Sequence, residues 1–155
     1  MKNKYIFILS ITFVSSLLLS LFSEGLKEKT LFNIQLDKKK NLLQTIGMNT
    51  DILTTDEILK EFNDNIKEIT LDLSGNVLSD VNHDQFDTKE NNATGELKYY
   101  IDENEYLPLF LSETMNAIII PISGKGLWSS LYGYFAIDKN NFSAVKGITF
   151  YKHGE

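Results

Sequence analysis

Residues Tyr5 to Phe22 form eighteen consecutive positions without a charge, Ile, Leu, Phe and Val with Ser and Thr set among them. As a helix this run rises about 27 Å, close to the hydrocarbon thickness of a bilayer. A helix that is apolar all round needs either lipid or a surrounding protein core. Lys2 and Lys4 precede the run, and Glu24, Lys27, Glu28 and Lys29 follow it. That slight bias in lysines favours the N-terminus inside and the bulk of the chain outside. A cleaved signal peptide would share the Lys-bearing start and the apolar core, but this core is long and no Ala-x-Ala site follows it. The expectation is one transmembrane anchor over residues 1–25, followed by a single extracytoplasmic domain over residues 26–155.

The roughly 130 residues beyond the run suffice for one domain with its own core. The chain carries 21 acidic and 15 basic residues, and every basic one is Lys. Without Arg, the planar fork suited to bidentate phosphate recognition is missing. Between Asp64 and Glu105 eleven acids face three lysines, a surface that repels nucleic acid. There is no Cys, hence no disulfide, thiolate metal site or catalytic thiol.

Leu26, Leu31, Ile34, Leu42 and Ile46 follow a helical period, which predicts a helix from about Leu26 to Ile46, open to running on from the anchor. Gly47 stops it as the residue after the cap. Thr54-Thr-Asp-Glu57 has capping-box spacing and opens a short helix through Ile58, Leu59 and Phe62. Ile69, Leu71 and Leu73 alternate with polar residues as in a half-buried strand, and Ser74-Gly-Asn76 turns it into Val77-Leu78. Asp80 to Gly95 is polar and reads as a loop. Leu97–Ile101 and Leu107–Leu111 are short strand candidates. The fold class is α+β, a helix pair followed by a twisted antiparallel sheet.

The last third has the densest pattern. An apolar run from Ala117 to Ile122 meets a glycine turn at Ser123-Gly-Lys-Gly126, and the single Trp follows at position 128. Two more strand segments, Leu131–Ile137 and Phe142–Tyr151, are separated by Asp138-Lys-Asn-Asn141. Gly124 and Gly126 let backbone come close to whatever lies against them, and Trp128 offers a flat apolar wall. Such a turn is open to two readings, a plain hairpin with a core Trp or a seat for a planar cofactor. Tyr132, Tyr134 and Phe135 place aromatics on both faces of one strand. That fits a central strand covered on both sides, or one whose second cover comes from other protein.

This stretch resembles the flavin-binding domain of the C subunit of the Na+-translocating NADH:quinone oxidoreductase. The likeness rests on Pro121-Ile-x-Gly-x-Gly-Leu-Trp128, Leu131-Tyr-Gly-Tyr134, Gly147-Ile-Thr-Phe150 and the His-x-Glu at His153 and Glu155. The Lys-flanked apolar helix and Asp37-Lys-Lys-Lys-Asn-Leu-Leu43 resemble the family as well. The resemblance implies a subunit of a bacterial inner-membrane reductase complex, with one-electron transfer through covalent FMN coupled to Na+ export. It places Gly124, Gly126, Leu127 and Trp128 near the flavin and makes none of them catalytic. Its partners would be the other membrane subunits of that complex and the lipid bilayer. The flavoprotein subunit of a related electron-transport complex is also similar, less so around Gly-Leu-Trp. In the family FMN is held by the Thr of a later Ser-Gly-Ala-Thr motif, which does not occur in these 155 residues. The expectation is therefore a partial FMN-binding domain carrying no covalent flavin, with a non-redox anchor or assembly subunit as the alternative.

Other motifs have weaker support. Asp80-Val-Asn-His-Asp84 places oxygen ligands as in a calcium loop, but Gln85 and Asn91 stand where the sharp turn and the bidentate carboxylate belong. Gly124-Lys-Gly126 lacks the spacing of a phosphate loop. His83 and His153 have no metal-spaced partners, and no Ser sits in a nucleophile elbow.

Overall fold

The uncharged run is helical, and its helix continues without a break: α1 spans Lys2–Thr45. The computed structural model describes residues 2–78 and 81–152. Met1, Ser79, Asp80, His153, Gly154 and Glu155 lie outside the described residues, and with them the His-x-Glu of the resemblance and the first position of the calcium-like loop. The chain divides into two compact units, one ending at Gln35 and the other beginning at Leu36.

In the first unit the apolar side chains of α1, among them Phe7, Leu9, Phe13 and Leu19, are exposed on every side. This is the one helix among the described residues long and apolar enough to cross a membrane. The Thr12 hydroxyl donates to the Ile8 carbonyl at 2.9 Å, so a polar side chain within the run is satisfied by its own helix.

In the second unit α1 ends as Gly47 predicts. Gly47 sits at φ +89. Its N–H donates to Gln44 at 2.9 Å, and the Met48 N–H reaches back to Leu43 at 3.1 Å. This pair of bonds is a Schellman cap, closed by the apolar Met48 packed against the core. The second helix, α2 (Thr55–Asn65), opens with a complete capping box: Thr54 accepts from the Glu57 N–H, and the Glu57 carboxylate accepts from the Thr54 N–H. Leu42, Leu43 and Ile46 of α1 join Ile58 and Phe62 of α2 in one buried cluster.

All strands pair antiparallel: β1 (Lys67–Asp72), β2 (Val77–Leu78), β3 (Asp87–Glu90), β4 (Leu97–Ile101), β5 (Asn104–Ser112), β6 (Ala117–Lys125), β7 (Ser130–Asp138) and β8 (Val145–Lys152). The main path runs β2-β1-β5-β6-β7-β8, with the β3–β4 hairpin attached through β4 to β5. The fold is α+β with an antiparallel sheet, as expected from the sequence.

Four strand-level expectations change. The polar segment read as a loop contains β3, whose four exposed residues pair fully with β4. Its backbone bonds, not burial, make it a strand, so hydropathy gave no sign of it. Phe142 lies outside β8 and is exposed. In β1 the fully buried residue is Thr70, while Leu73 lies past the strand and is exposed. The reason is register: Thr70 pairs with Pro108 and so shares a face with Phe110, whereas Ile69 and Leu71 point the other way. The fourth concerns β7. Tyr132, Tyr134 and Ala136 are buried on the helix-covered face. Phe135 and Ile137, on the opposite face, are only half-buried. The central strand is covered on one side.

Candidate functional site

The glycine-bearing hairpin connects β6 and β7. Pairing continues past the point where the sequence suggested a turn: Ser123, Gly124 and Lys125 face Tyr132, Leu131 and Ser130. The Gly126 N–H then donates to the Ser129 carbonyl at 2.8 Å, leaving Leu127 and Trp128 as the tip. Both are open to their surroundings, Leu127 at 87% and Trp128 at 78% exposure. Trp128 is thus not a core residue, and the reading of a hairpin with a core Trp is corrected.

The two glycines serve differently. A Cβ on Gly126 would stand 2.8 Å from the Ser129 carbonyl oxygen and 3.0 Å from the Leu131 Cγ, so the hairpin itself excludes a side chain there. A Cβ on Gly124 would meet nothing within 4 Å. The close approach falls on Gly95, just ahead of β4, at φ +72. A Cβ there would stand 2.6 Å from both Gly124 C and Lys125 N. Gly95 therefore lets the β3–β4 hairpin rest on the Gly124–Lys125 peptide. The Ser123 hydroxyl accepts the Leu97 N–H at 2.7 Å beside it.

A second tie joins the same two hairpins. Both Ser130 and Tyr132 donate hydroxyl hydrogens to the Glu90 carboxylate, the latter at 2.5 Å. The Ser130 and Tyr132 bonds hold the Glu90 carboxyl below its ordinary range, with Lys125 and Lys152 adding to the effect. The same carboxylate raises the Tyr132 phenol. Lys125 Nζ donates to the Asn92 carbonyl at 3.3 Å, and Lys152 Nζ lies 5.1 Å above the Tyr132 ring. Glu90, Gly95 and Ser130 were not singled out in the sequence, and Tyr132 only as a strand aromatic, because the partners in these contacts lie far along the chain.

From Tyr132 a band of rings leads under the helices. Tyr151 lies 6.4 Å from Tyr132 and 5.0 Å from Tyr134, Phe110 lies 5.8 Å from Tyr134, and His83 packs edge-on to Phe110 at 4.9 Å. Burial raises the phenols of Tyr134 and Tyr151. His83 Nε2 stands 3.2 Å from the Ile69 carbonyl, and its buried Nδ1 has no partner. His83 is a half-buried ring packed on this band. Asn82 caps a short 3-10 turn and Asn91 accepts the Ala93 N–H. Among the described residues no three His, Asp or Glu side chains gather as a metal site.

The hairpin tip suits one side of a flavin. Two exposed apolar side chains and an open glycine backbone match the face of a flat ring. For a phosphate the described residues around the tip include Lys125 and Lys152, each already engaged.

No family model matches the chain. It is similar to the C subunit of the Na(+)-translocating NADH-quinone reductase from Pseudomonas aeruginosa, 27% identical over 161 residues, covering 95% of this chain and 61% of that one. The protein of the same name from Yersinia pestis is 28% identical over 145 residues, with 84% and 54% covered. That of Vibrio alginolyticus is 24% identical, with 96% and 61% covered. The chain thus spans between 54% and 61% of the length of these relatives. Among solved structures, Shewanella oneidensis NqrC superposes with a TM-score of 0.54 at 24% identity, over 76% of this chain and 58% of that one, a likeness of fold. The resemblance read from the motifs thus extends over most of the chain.

Proposed function

We propose that this chain is the anchored part of an NqrC-type protein, working in a Na+-translocating NADH:quinone reductase. The observation that carries this reading is the extent of the similarity, which takes in the apolar helix as well as the sheet. FMN supplies one-electron chemistry when bound, and in the assembled complex that transfer is coupled to Na+ export. The part left to these residues is placement and exclusion of water. Gly124, Gly126, Leu127 and Trp128 line the flavin-facing side, with Trp128 against or near the ring system. Because Trp128 is the single Trp of the chain, its fluorescence reports on that contact directly. Titrating the membrane-reconstituted chain with FMN should quench it, and Leu127→Ser should weaken the effect. Unchanged emission at millimolar FMN would remove the flavin from this hairpin.

The absence of Ser-Gly-Ala-Thr from these 155 residues supports a chain that holds no FMN covalently. After denaturing electrophoresis the band should stay dark under ultraviolet light, and a fluorescent band would refute this. The engaged state of Lys125 and Lys152 favours a second reading, a non-redox anchor or assembly subunit. Under it, other members of the reductase complex would co-purify with a chain that does not quench with FMN. Scrambling residues 5–22 should abolish co-purification under either reading.

For topology we propose a single pass of the inner membrane, anchor 1–25, with the N-terminus cytoplasmic and residues 26–155 outside. The chain has no Cys, so a single Ser74→Cys reports on sidedness. An impermeant maleimide should label it in intact spheroplasts. Labelling only after lysis reverses the orientation.

A further inference from the structure

Two asparagines stand in Asn-x-Ser/Thr triplets, Asn92-Ala-Thr94 and Asn141-Phe-Ser143. That triplet is the acceptor signal for an N-linked glycan in exported chain. The fold treats the two differently. Asn141 is locked into the β7–β8 connection. Its N–H donates to Asp138 Oδ1 at 2.9 Å, its Oδ1 accepts the Ser143 N–H at 3.2 Å, and its carbonyl accepts the Ala144 N–H at 2.8 Å. Asn92 lies in the β3–β4 turn, exposed together with Asn91, Ala93 and Thr94. Asn91 closes that turn: its Oδ1 accepts the Ala93 N–H at 2.9 Å and its carbonyl accepts the Gly95 N–H at 2.7 Å. The Asn92 amide takes no part in it and has no partner among the described residues. Lys125 reaches only the Asn92 backbone carbonyl. The Thr94 hydroxyl accepts the Glu96 N–H at 3.3 Å, which leaves its own hydrogen able to donate.

We propose that Asn92 is an acceptor for an N-linked glycan, attached by a membrane oligosaccharyltransferase on the outer side of the membrane. The inference rests on the extracytoplasmic placement of residues 26–155 proposed above and on no flavin contact. Glu90 stands two positions ahead of Asn92 and sets an anion beside the triplet. Its residue is exposed, and the hydroxyls of Ser130 and Tyr132 fill only part of its roughly four acceptor sites. A transferase can therefore grip that carboxylate with a cation such as Arg. β3 is exposed along its length and pairs with β4 alone. Backbone bonds with little burial beneath them open first, so residues 90–94 can be drawn out as an extended acceptor. Asn141 has Lys139 in the position of Glu90, and its amide must first leave Ser143. In the reaction Asn92 Nδ2 attacks the anomeric carbon of the first sugar of a polyprenyl-diphosphate-linked oligosaccharide. The Nδ2–C1 bond forms and the C1–O bond breaks. Its electron pair leaves with the polyprenyl diphosphate, and one amide proton passes to a carboxylate or water of the transferase.

The test expresses the full chain in a bacterium that carries a membrane oligosaccharyltransferase and a polyprenyl-diphosphate-linked oligosaccharide, beside a control acceptor protein. Trypsin cuts after Lys89, Lys98, Lys139 and Lys146, so peptides 90–98 and 140–146 carry one triplet each. Mass spectrometry should find the glycan on Asn92 in the first and leave the second bare. Asn92→Gln and Thr94→Ala should abolish it, and Thr94→Ser should keep it. Glu90→Gln can still accept from Ser130 and Tyr132 but has lost its charge, and should lower the modified fraction about tenfold. A bare 90–98 peptide beside a modified control overturns the proposal, as does equal modification of Asn141. With Ser74→Cys labelled from outside, that failure belongs to the site; with labelling only after lysis, the site falls together with the topology. None of these outcomes depends on FMN quenching or on recovery of the reductase complex, so failure here is separable from failure of the functional reading.

Discussion

The backbone carbonyl of Thr45, in the last turn of α1, rests so closely on Gly147 of β8 that a Cβ on Gly147 would overlap its oxygen. The contact is reinforced by side chains. The Thr45 hydroxyl lies 2.6 Å from that of Thr149, and Thr149 donates to the Asn41 carbonyl at 3.2 Å. A glycine in an exposed-looking strand position thereby sets how near the helix end comes to the sheet.

Gly147→Ala should force the helix end away and cost about 1–3 kcal/mol, the range of an overpacked core. Gly124→Ala, where a Cβ meets open space, should change stability by less than about 0.5 kcal/mol. Urea denaturation of the two variants compares them directly. Equal losses would show that the docking of α1 on β8 is wrong.

Gly95→Ala combines a left-handed backbone with overlap on the Gly124–Lys125 peptide. Strain of that kind costs about 1–3 kcal/mol. The loss should be local: faster amide exchange at Leu97, whose N–H is held by Ser123, with α2 unaffected. Uniformly faster exchange across the domain would contradict it.

Thr54→Ala removes the hydroxyl that caps α2 and should lower stability by about 1 kcal/mol. Thr54→Ser should restore most of it, since the hydroxyl and not the methyl makes the bond. A serine variant as unstable as the alanine one would locate the effect in packing.

Burial depresses the His83 pKa below its ordinary 6.5, outweighing the neighbouring carboxylates of Glu68 and Asp84, which act to raise it. The folded protein therefore binds this proton less readily than the unfolded chain. The stability linked to His83 is full above pH 6.5 and is lost as pH falls from there through the folded pKa. His83→Phe should flatten the stability profile over that window, as read by denaturation at pH 7 and at successively lower pH. An unaltered slope would place the ring in contact with solvent.

Several elements were legible without the fold because they follow local rules. Eighteen uncharged residues fix a helix long and apolar enough to cross a membrane, Gly47 stops α1 through its left-handed conformation, and Thr54 with Glu57 opens α2 through two reciprocal bonds. The β4–β5 turn was harder. Asp102 and Glu103 both take positive φ, at 47° and 69°, without the Asn-Gly signature that usually announces such a pair. At the candidate site the glycines were visible but their division of labour was not. Gly126 is required by its own turn, whereas the contact at Gly124 is made possible by Gly95 from another hairpin.

Neighbouring residues were enough to set the long apolar helix, the helix caps, most strand positions and the apolar content of both sheet faces. Long-range contacts were needed to make Leu127 and Trp128 the exposed tip, to tie Glu90 to Ser130 and Tyr132, and to leave one sheet face uncovered. Those outcomes depend on register and on contacts between residues 40 or more positions apart, such as Glu90 with Ser130 and Thr45 with Thr149. Hydropathy states that a face is apolar. Which apolar face the helices cover is fixed only when the strands pair and the chain folds back on itself.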